Sequence, residues 1–194
     1  MIYGMINKMS LPLRLFLPHG FTSRIGLKSI RDERNEIVLK FAKGRLLDIG
    51  CGPNILVKKY GNDSVGIDVF DFNGGAIIIE DSSELPFKEN TFDTVAFVAS
   101  FNHIPNRREV ITEVNRILKK NGIVIITNLE PIIGKVRHKM FWIDKVEEGR
   151  EKKEGEEEGL KSEYIMNLLI KCGFKLIKKM KFQFLNNIYV FERR

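Results

Sequence analysis

Residues 45–54 read Arg-Leu-Leu-Asp-Ile-Gly-Cys-Gly-Pro-Asn, and no other stretch restricts the fold as much. A short apolar run stops at two glycines one residue apart, and a short helical segment, about 54–60, follows. Glycine at such a turn lets the backbone take left-handed conformations and pass close to a ligand. Similar apolar runs recur at 65–69, 76–80, 94–99 and 123–127. They are apolar on both faces, as parallel strands covered by helices are.

Helical patterns alternate with these runs. Residues 24–43 carry Ile30, Ile37, Val38 and Phe41 at helical spacing, with Gly44 as a stop. Asn106 caps a second helix, with Glu109 completing a capping box. Val110, Ile111, Val114, Ile117 and Leu118 form its buried stripe, and Asn121-Gly122 ends it. A third helix opens at Ser162, turns Ile165, Leu168, Leu169 and Cys172 inward, and stops at Gly173. Residues 174–184 and 188–192 read as two strands, with Asn186-Asn187 as a tight hairpin turn. The alternation predicts an α/β fold: a doubly wound, mostly parallel, seven-stranded, Rossmann-like sheet with an antiparallel C-terminal hairpin strand. Residues 1–40 form a helical cap segment and 41–194 the sheet domain, with 131–159 as a lid or insert.

The net charge of +7 is unevenly placed. Residues 1–45 carry +6, residues 46–159 carry −5 and residues 160–194 carry +6. Basic ends around an acidic centre argue against a uniformly basic nucleic-acid coat protein. Two cysteines, Cys51 and Cys172, give no disulfide framework, so a reducing cytoplasm is the expected compartment. No apolar run reaches the roughly 18 residues that span a bilayer. The first 20 residues are interrupted by Lys8, Pro12, Arg14 and Pro18. They form either a helix packed on the domain or one lying on a membrane surface, without stable insertion.

In a doubly wound sheet the ligand sits beyond the carboxyl ends of the strands. A Gly-x-Gly turn alone fits several ligands, but three further features narrow the choice. The third glycine of a dinucleotide fingerprint would fall at position 55, which is Ile. Asp68 closes the second strand, where an acid can accept from both hydroxyls of a ribose. Asp81 closes the third, where a carboxylate can accept from an adenine amino group. Together they describe an adenosine site with no pyrophosphate cradle, and no Gly-Lys-Ser/Thr phosphate loop occurs in the chain.

Four segments carry a family resemblance: residues 46–54, Gly66-Ile67-Asp68, Asp81 through Leu85-Pro86-Phe87 to Phe92-Asp93, and residues 116–122. In order and spacing they resemble the successive motifs of class I S-adenosylmethionine-dependent methyltransferases, in the branch of small-molecule and quinone-biosynthesis enzymes. The resemblance covers about residues 40–128. It departs at Asn54, where many members carry glycine, and at Asn121, where proline or glycine is commoner. The resemblance implies that S-adenosylmethionine binds and leaves as S-adenosylhomocysteine. It places Gly50, Cys51 and Gly52 under the methionine part and Asp48 at the methionine amino group. Asp68 takes the ribose diol and Val69 packs near adenine. Asp81 accepts from adenine N6, the Ser82 N–H lies near N1, and Ser100 faces the methionine side.

Transfer from a sulfonium is an in-line displacement that needs alignment and exclusion of water. A base is needed only where the acceptor carries a proton. His103 is the candidate, the alternative being that it orders its loop or packs over the cofactor. Cys51 reads as a packing residue. His19 and His138 lack further ligands at metal spacing, so no metal site is expected. Trp142 either lines an acceptor pocket or packs as a lid residue. Residues 147–158, with seven Glu and three Lys/Arg, read as a solvated surface.

The expected partner is a small-molecule acceptor, with Arg14, Arg24, Lys28 and Arg31 available for an anionic group. A methyltransferase of modified tRNA is the alternative, its phosphate face made by the two basic ends. Another is a non-catalytic cofactor-binding partner subunit. The oligomeric state is left open.

Overall fold

The computed structural model describes residues 28–131, 154–157, 159–182 and 186–194. Most of the cap segment and of the 131–159 insert therefore lies outside the described residues, as do Arg14, His19, Arg24, His138 and Trp142.

The elements run α1 (Ile30–Leu39), β1 (Leu46–Ile49), α2 (Ile55–Tyr60), β2 (Val65–Asp68), β3 (Ile77–Ile78) and β4 (Phe92–Val98). A 3-10 turn (Phe101–His103) follows, then α3 (Arg107–Ile117), β5 (Leu118–Leu129), α4 (Ser162–Lys171), β6 (Phe174–Phe182) and β7 (Asn186–Arg193). The strands form one seven-stranded sheet in the order β3-β2-β1-β4-β5-β7-β6. β1 through β5 pair in parallel, and β7 runs antiparallel to both β5 and β6. The doubly wound architecture is thus present, with β7 as the single antiparallel strand.

Strand alternation sends neighbouring side chains to opposite faces. Leu47, Ile49, Val95, Phe97, Val124 and Ile126 pack on one face with Val110, Val114 and Ile117 of α3 and Ile165 and Leu169 of α4. Leu46, Ala96, Ile123 and Ile125 pack on the other with Val38 of α1 and Leu56 of α2. Helices on both faces are what bury a parallel sheet. None of the described helices is long and apolar enough to cross a membrane.

Three local expectations need correction. β3 is not apolar and buried on both faces: it is a two-residue edge strand with Ile77 and Ile78 both exposed. The second predicted helix ends at Ile117, and Lys119 to Gly122 belong to β5, with Asn121 at φ 62°. Leu118 already pairs with Phe92, so sheet pairing overrides local helical pattern there. Asn186 and Asn187 are not a hairpin turn. They lie in β7, buried, in register with Leu129 and Asn128 of β5.

The basic C-terminal end falls, as expected, largely on the hairpin. Lys175, Lys178, Lys179 and Lys181 all lie on β6, the outer edge of the sheet. Lysines on an open edge oppose edge-to-edge association, which accounts for much of the basic excess there without a polyanion.

Phe97 is fully buried in the centre of the sheet and meets Phe101 edge-on at 5.0 Å. Phe97→Ala is expected to lower the free energy of unfolding by about 3–5 kcal/mol in denaturant titration.

Candidate functional site

β1 pairs with β2 on one side and β4 on the other, so the chain changes direction across the sheet between β1 and β4. Such a switch point opens a crevice at the carboxyl ends of the two strands. The Gly50–Cys51–Gly52 turn sits there. Gly50 and Gly52 have φ of 73° and 53°, in the left-handed region that glycine enters at little cost. The N–H groups of Gly50 and Cys51 donate to the Ile67 carbonyl at 2.9 and 3.1 Å, pinning the turn to β2. Ser100, just after β4, donates its hydroxyl to the Ile49 carbonyl at 2.5 Å. A Cβ on Gly50 would stand 2.5 Å from the Ser100 Cβ, whereas one on Gly52 would meet no atom within 4 Å. Gly50 is therefore closed against β4, and the open space lies around Gly52.

Asn54 shows why one family departure is tolerated. It precedes α2 with φ 59° and ψ 32°, the left-handed region, where asparagine is the usual substitute for glycine. Its amide donates to the Gly75 carbonyl at 3.1 Å. A Cβ on Gly66 would collide with the Asn54 side chain and with the Cys51 sulfur. Asn121 holds a left-handed conformation in the same way.

Asp48 is 2% exposed, and its Oδ1 has no hydrogen-bond partner. Burial pushes its carboxyl up to about 8, and the Asp68 carboxylate adds to the rise. An acid in that state fits a cation: a positive group beside it supplies the missing partner and draws it back to the ionised form. The sulfonium and α-ammonium of S-adenosylmethionine are such groups. Burial, with Asp48 and Asp68 adding, also pushes the Cys51 thiol far above its usual range, so it is no nucleophile at neutral pH.

Asp68 is buried and accepts from the Gly52 N–H at 2.8 Å and the Phe70 N–H at 3.1 Å. It thus ties the glycine turn to the end of β2, with Val69 half-buried beside it. Each oxygen retains a lone pair for a ligand hydroxyl. Asp81 lies in the loop beyond β3, exposed, and accepts from the Ser83 N–H at 2.8 Å. Both its oxygens also receive the Asn106 amide at 3.0 Å. The Asn106 side chain consequently makes no capping bond to α3, and the predicted capping box does not form. Ser82 is half-buried next to Asp81.

His103 ends the turn after β4, and its N–H donates to the Ser100 carbonyl at 2.9 Å. Its Nδ1 lies 3.2 Å from the Glu156 carboxylate, whose side chain is almost wholly buried. Glu156 is a residue that the sequence reading assigned to a solvated acidic run. Periodicity is silent in that run, and nothing local separates Glu156 from its neighbours. Lys28 pairs with Glu36 at 2.7 Å, so its charge is already balanced within the α1 region.

Residues 47–126 match the family model of a methyltransferase domain. An uncharacterised protein of Methanocaldococcus jannaschii is 33% identical over 111 residues, 52% of this chain and 43% of that protein. A demethylmenaquinone methyltransferase of Thermotoga maritima is 24% identical over 110 residues, 50% of this chain and 48% of its own length. The chain spans less than half the length of these two relatives. A crystal structure of an S-adenosylmethionine-dependent methyltransferase from Thermotoga maritima superposes with a TM-score of 0.65 at 16% identity, covering 84% of this chain and 89% of that one.

Two outcomes follow from the site. The folded state holds a proton on Asp48 that an unfolded chain releases near its ordinary value of 3.8. This contribution to stability is full below that value and is lost as pH rises toward about 8. Asp48→Asn in the ligand-free protein is expected to flatten that fall in thermal unfolding scans between pH 4 and 8. Gly50→Ala is expected to weaken S-adenosylhomocysteine binding at least tenfold by calorimetry, because both the positive φ and the Ser100 contact oppose a Cβ.

Proposed function

Because the chain belongs to the class I S-adenosylmethionine-dependent methyltransferases, we propose that it moves a methyl group from S-adenosylmethionine to a small-molecule acceptor. The observation that carries the cofactor half is the buried, unpartnered Asp48 oxygen under a glycine turn at the switch point. When bound, the cofactor supplies a methyl group already activated by a sulfonium charge. Asp48 meets its positive end, and the Gly52 backbone leaves room for it. Asp68 accepts from the ribose, Val69 flanks the adenine, and Asp81 with the Ser82 N–H reads its edge. Ser100 keeps the turn in register with β4 and does not spend its hydroxyl on the ligand.

The acceptor half rests on two supports. The demethylmenaquinone methyltransferase among the relatives acts, as its name states, on demethylmenaquinone, which is not a macromolecule. The lysines of the C-terminal region are accounted for as edge residues of β6, which weakens the argument for an RNA face. A cytoplasmic location fits free Cys51 and Cys172.

Calorimetry tests the cofactor half. S-adenosylmethionine and S-adenosylhomocysteine are expected to bind, with NAD far weaker, and no binding of either at millimolar concentration would remove the proposal. Asp68→Ala is expected to weaken binding by roughly 1.5–3 kcal/mol for each charge-assisted bond lost. Unchanged affinity would show that the ribose lies elsewhere.

A further inference from the structure

The short described stretch Glu154–Glu157 is strapped across the turn that follows β4. The Glu157 N–H donates to the Asn102 carbonyl at 2.9 Å, and the Asn102 amide donates to the Glu157 carbonyl at 2.8 Å. Arg107, only 5% exposed, clamps both pieces. It donates to the carbonyls of Phe101, Asn102 and Gly155 and pairs with the Glu157 carboxylate at 3.0 Å. These contacts alone would hold the strap in place. None of them involves the Glu156 carboxylate, which turns inward with its side chain 1% exposed. An ionised carboxylate there is costly without a partner, and His103 Nδ1 stands 3.2 Å away.

The Asn102 contacts point to one ring tautomer. The Asn102 group facing the Glu157 carbonyl must be its amide nitrogen, because two carbonyl oxygens would repel. The same nitrogen lies 3.1 Å from His103 Nε2. With one N–H on Glu157, its other N–H points at Nε2, which must therefore be the accepting, unprotonated nitrogen. The ring proton is then on Nδ1, directed at Glu156. A neutral histidine held this way presents a basic Nε2, and its protonated form faces a buried anion. Glu156 faces the ring, and the neighbouring Glu157 pairs with Arg107.

We propose that Glu156 is a positioning residue that holds His103 as the Nδ1–H tautomer, so that Nε2 takes the proton from a hydroxyl-bearing methyl acceptor. This rests on the methyltransferase reading and narrows its substrate class. The acceptor hydroxyl replaces the Asn102 amide at Nε2. Its oxygen bonds to the methyl carbon as the carbon–sulfur bond breaks, and that bonding pair stays on sulfur. The hydroxyl proton passes to Nε2, and the imidazolium, paired with Glu156, then releases it to solvent. His103 is 24% exposed and sits three residues beyond Ser100, beside the cofactor turn, so solvent reaches it.

The test follows the imidazole signals of the full chain by NMR with S-adenosylhomocysteine bound, the His103 signal being assigned by its loss in His103→Ala. In Glu156→Gln the His103 ring is expected to bind its proton about tenfold more weakly than in the parent, because the facing charge is gone. Glu156→Asp is expected to restore part of that affinity, which a merely structural strap contact would not do. An unchanged titration in Glu156→Gln, or nitrogen shifts placing the neutral proton on Nε2 in the parent, would overturn the proposal. A panel of catechols and phenols set against thioethers and tertiary amines probes the acceptor class. Transfer to a hydroxyl that falls roughly a hundredfold in His103→Ala supports the proposal. Transfer confined to the proton-free acceptors overturns it, and without turnover the titration decides. Failure of the parent to bind S-adenosylhomocysteine would instead strike the methyltransferase reading itself.

Discussion

The seam between β1 and β4 carries the rest of this structure. Gly50 turns with positive φ, and the absence of its Cβ lets Ser100 close to hydrogen-bond distance of the Ile49 carbonyl. That contact joins the two strands where the sheet changes winding direction. It places the glycine turn over Asp48 on one side and starts the Phe101–His103 turn on the other. The proposed binding residues and the candidate base are thereby set from one backbone junction.

Electrostatics then gives the crevice its preference. The Asp68 carboxylate adds to the burial that disfavours charge on Asp48, and Asp48 Oδ1 has no polar partner to compensate. A protein tolerates such a group where a ligand supplies the compensation, which under the proposed function is the positive end of the cofactor. The acidic centre of the chain therefore divides into unlike parts. Asp48 and Asp68 are buried in the C-terminal halves of β1 and β2. Asp81 is exposed and fastens the loop beyond β3 to Asn106. Glu156 is buried against a histidine, while its neighbour Glu157 bridges to Arg107 at the surface. Charge counted along the sequence cannot make these distinctions, because they depend on solvent access and on partners far away in the chain.

What was legible follows the range of the interaction. The order of strands and helices and the Gly50–Gly52 turn are local patterns, and the structure holds them in place. Errors arose where a distant strand or side chain competed. Asn106 resembles a cap, but Asp81, 25 residues earlier, takes its amide. Asn186-Asn187 resembles a turn, yet β5 offers both residues a paired register. Lys119 to Gly122 resemble a helix end, but Phe92 draws Leu118 into the sheet.

By itself the sequence determined the α/β winding, because hydrophobic period and turn glycines act within a few residues of each other. It also carried the methyltransferase resemblance, since those motifs are contiguous runs near successive strand ends. Only the tertiary structure decided that Asp48 is left without a partner, that the β6 lysines guard an edge, and that Glu156 reaches His103. The last pairing spans 53 residues. Its cause is the packing of a strap onto a turn, and packing across such a separation leaves no periodic trace in the chain that makes it.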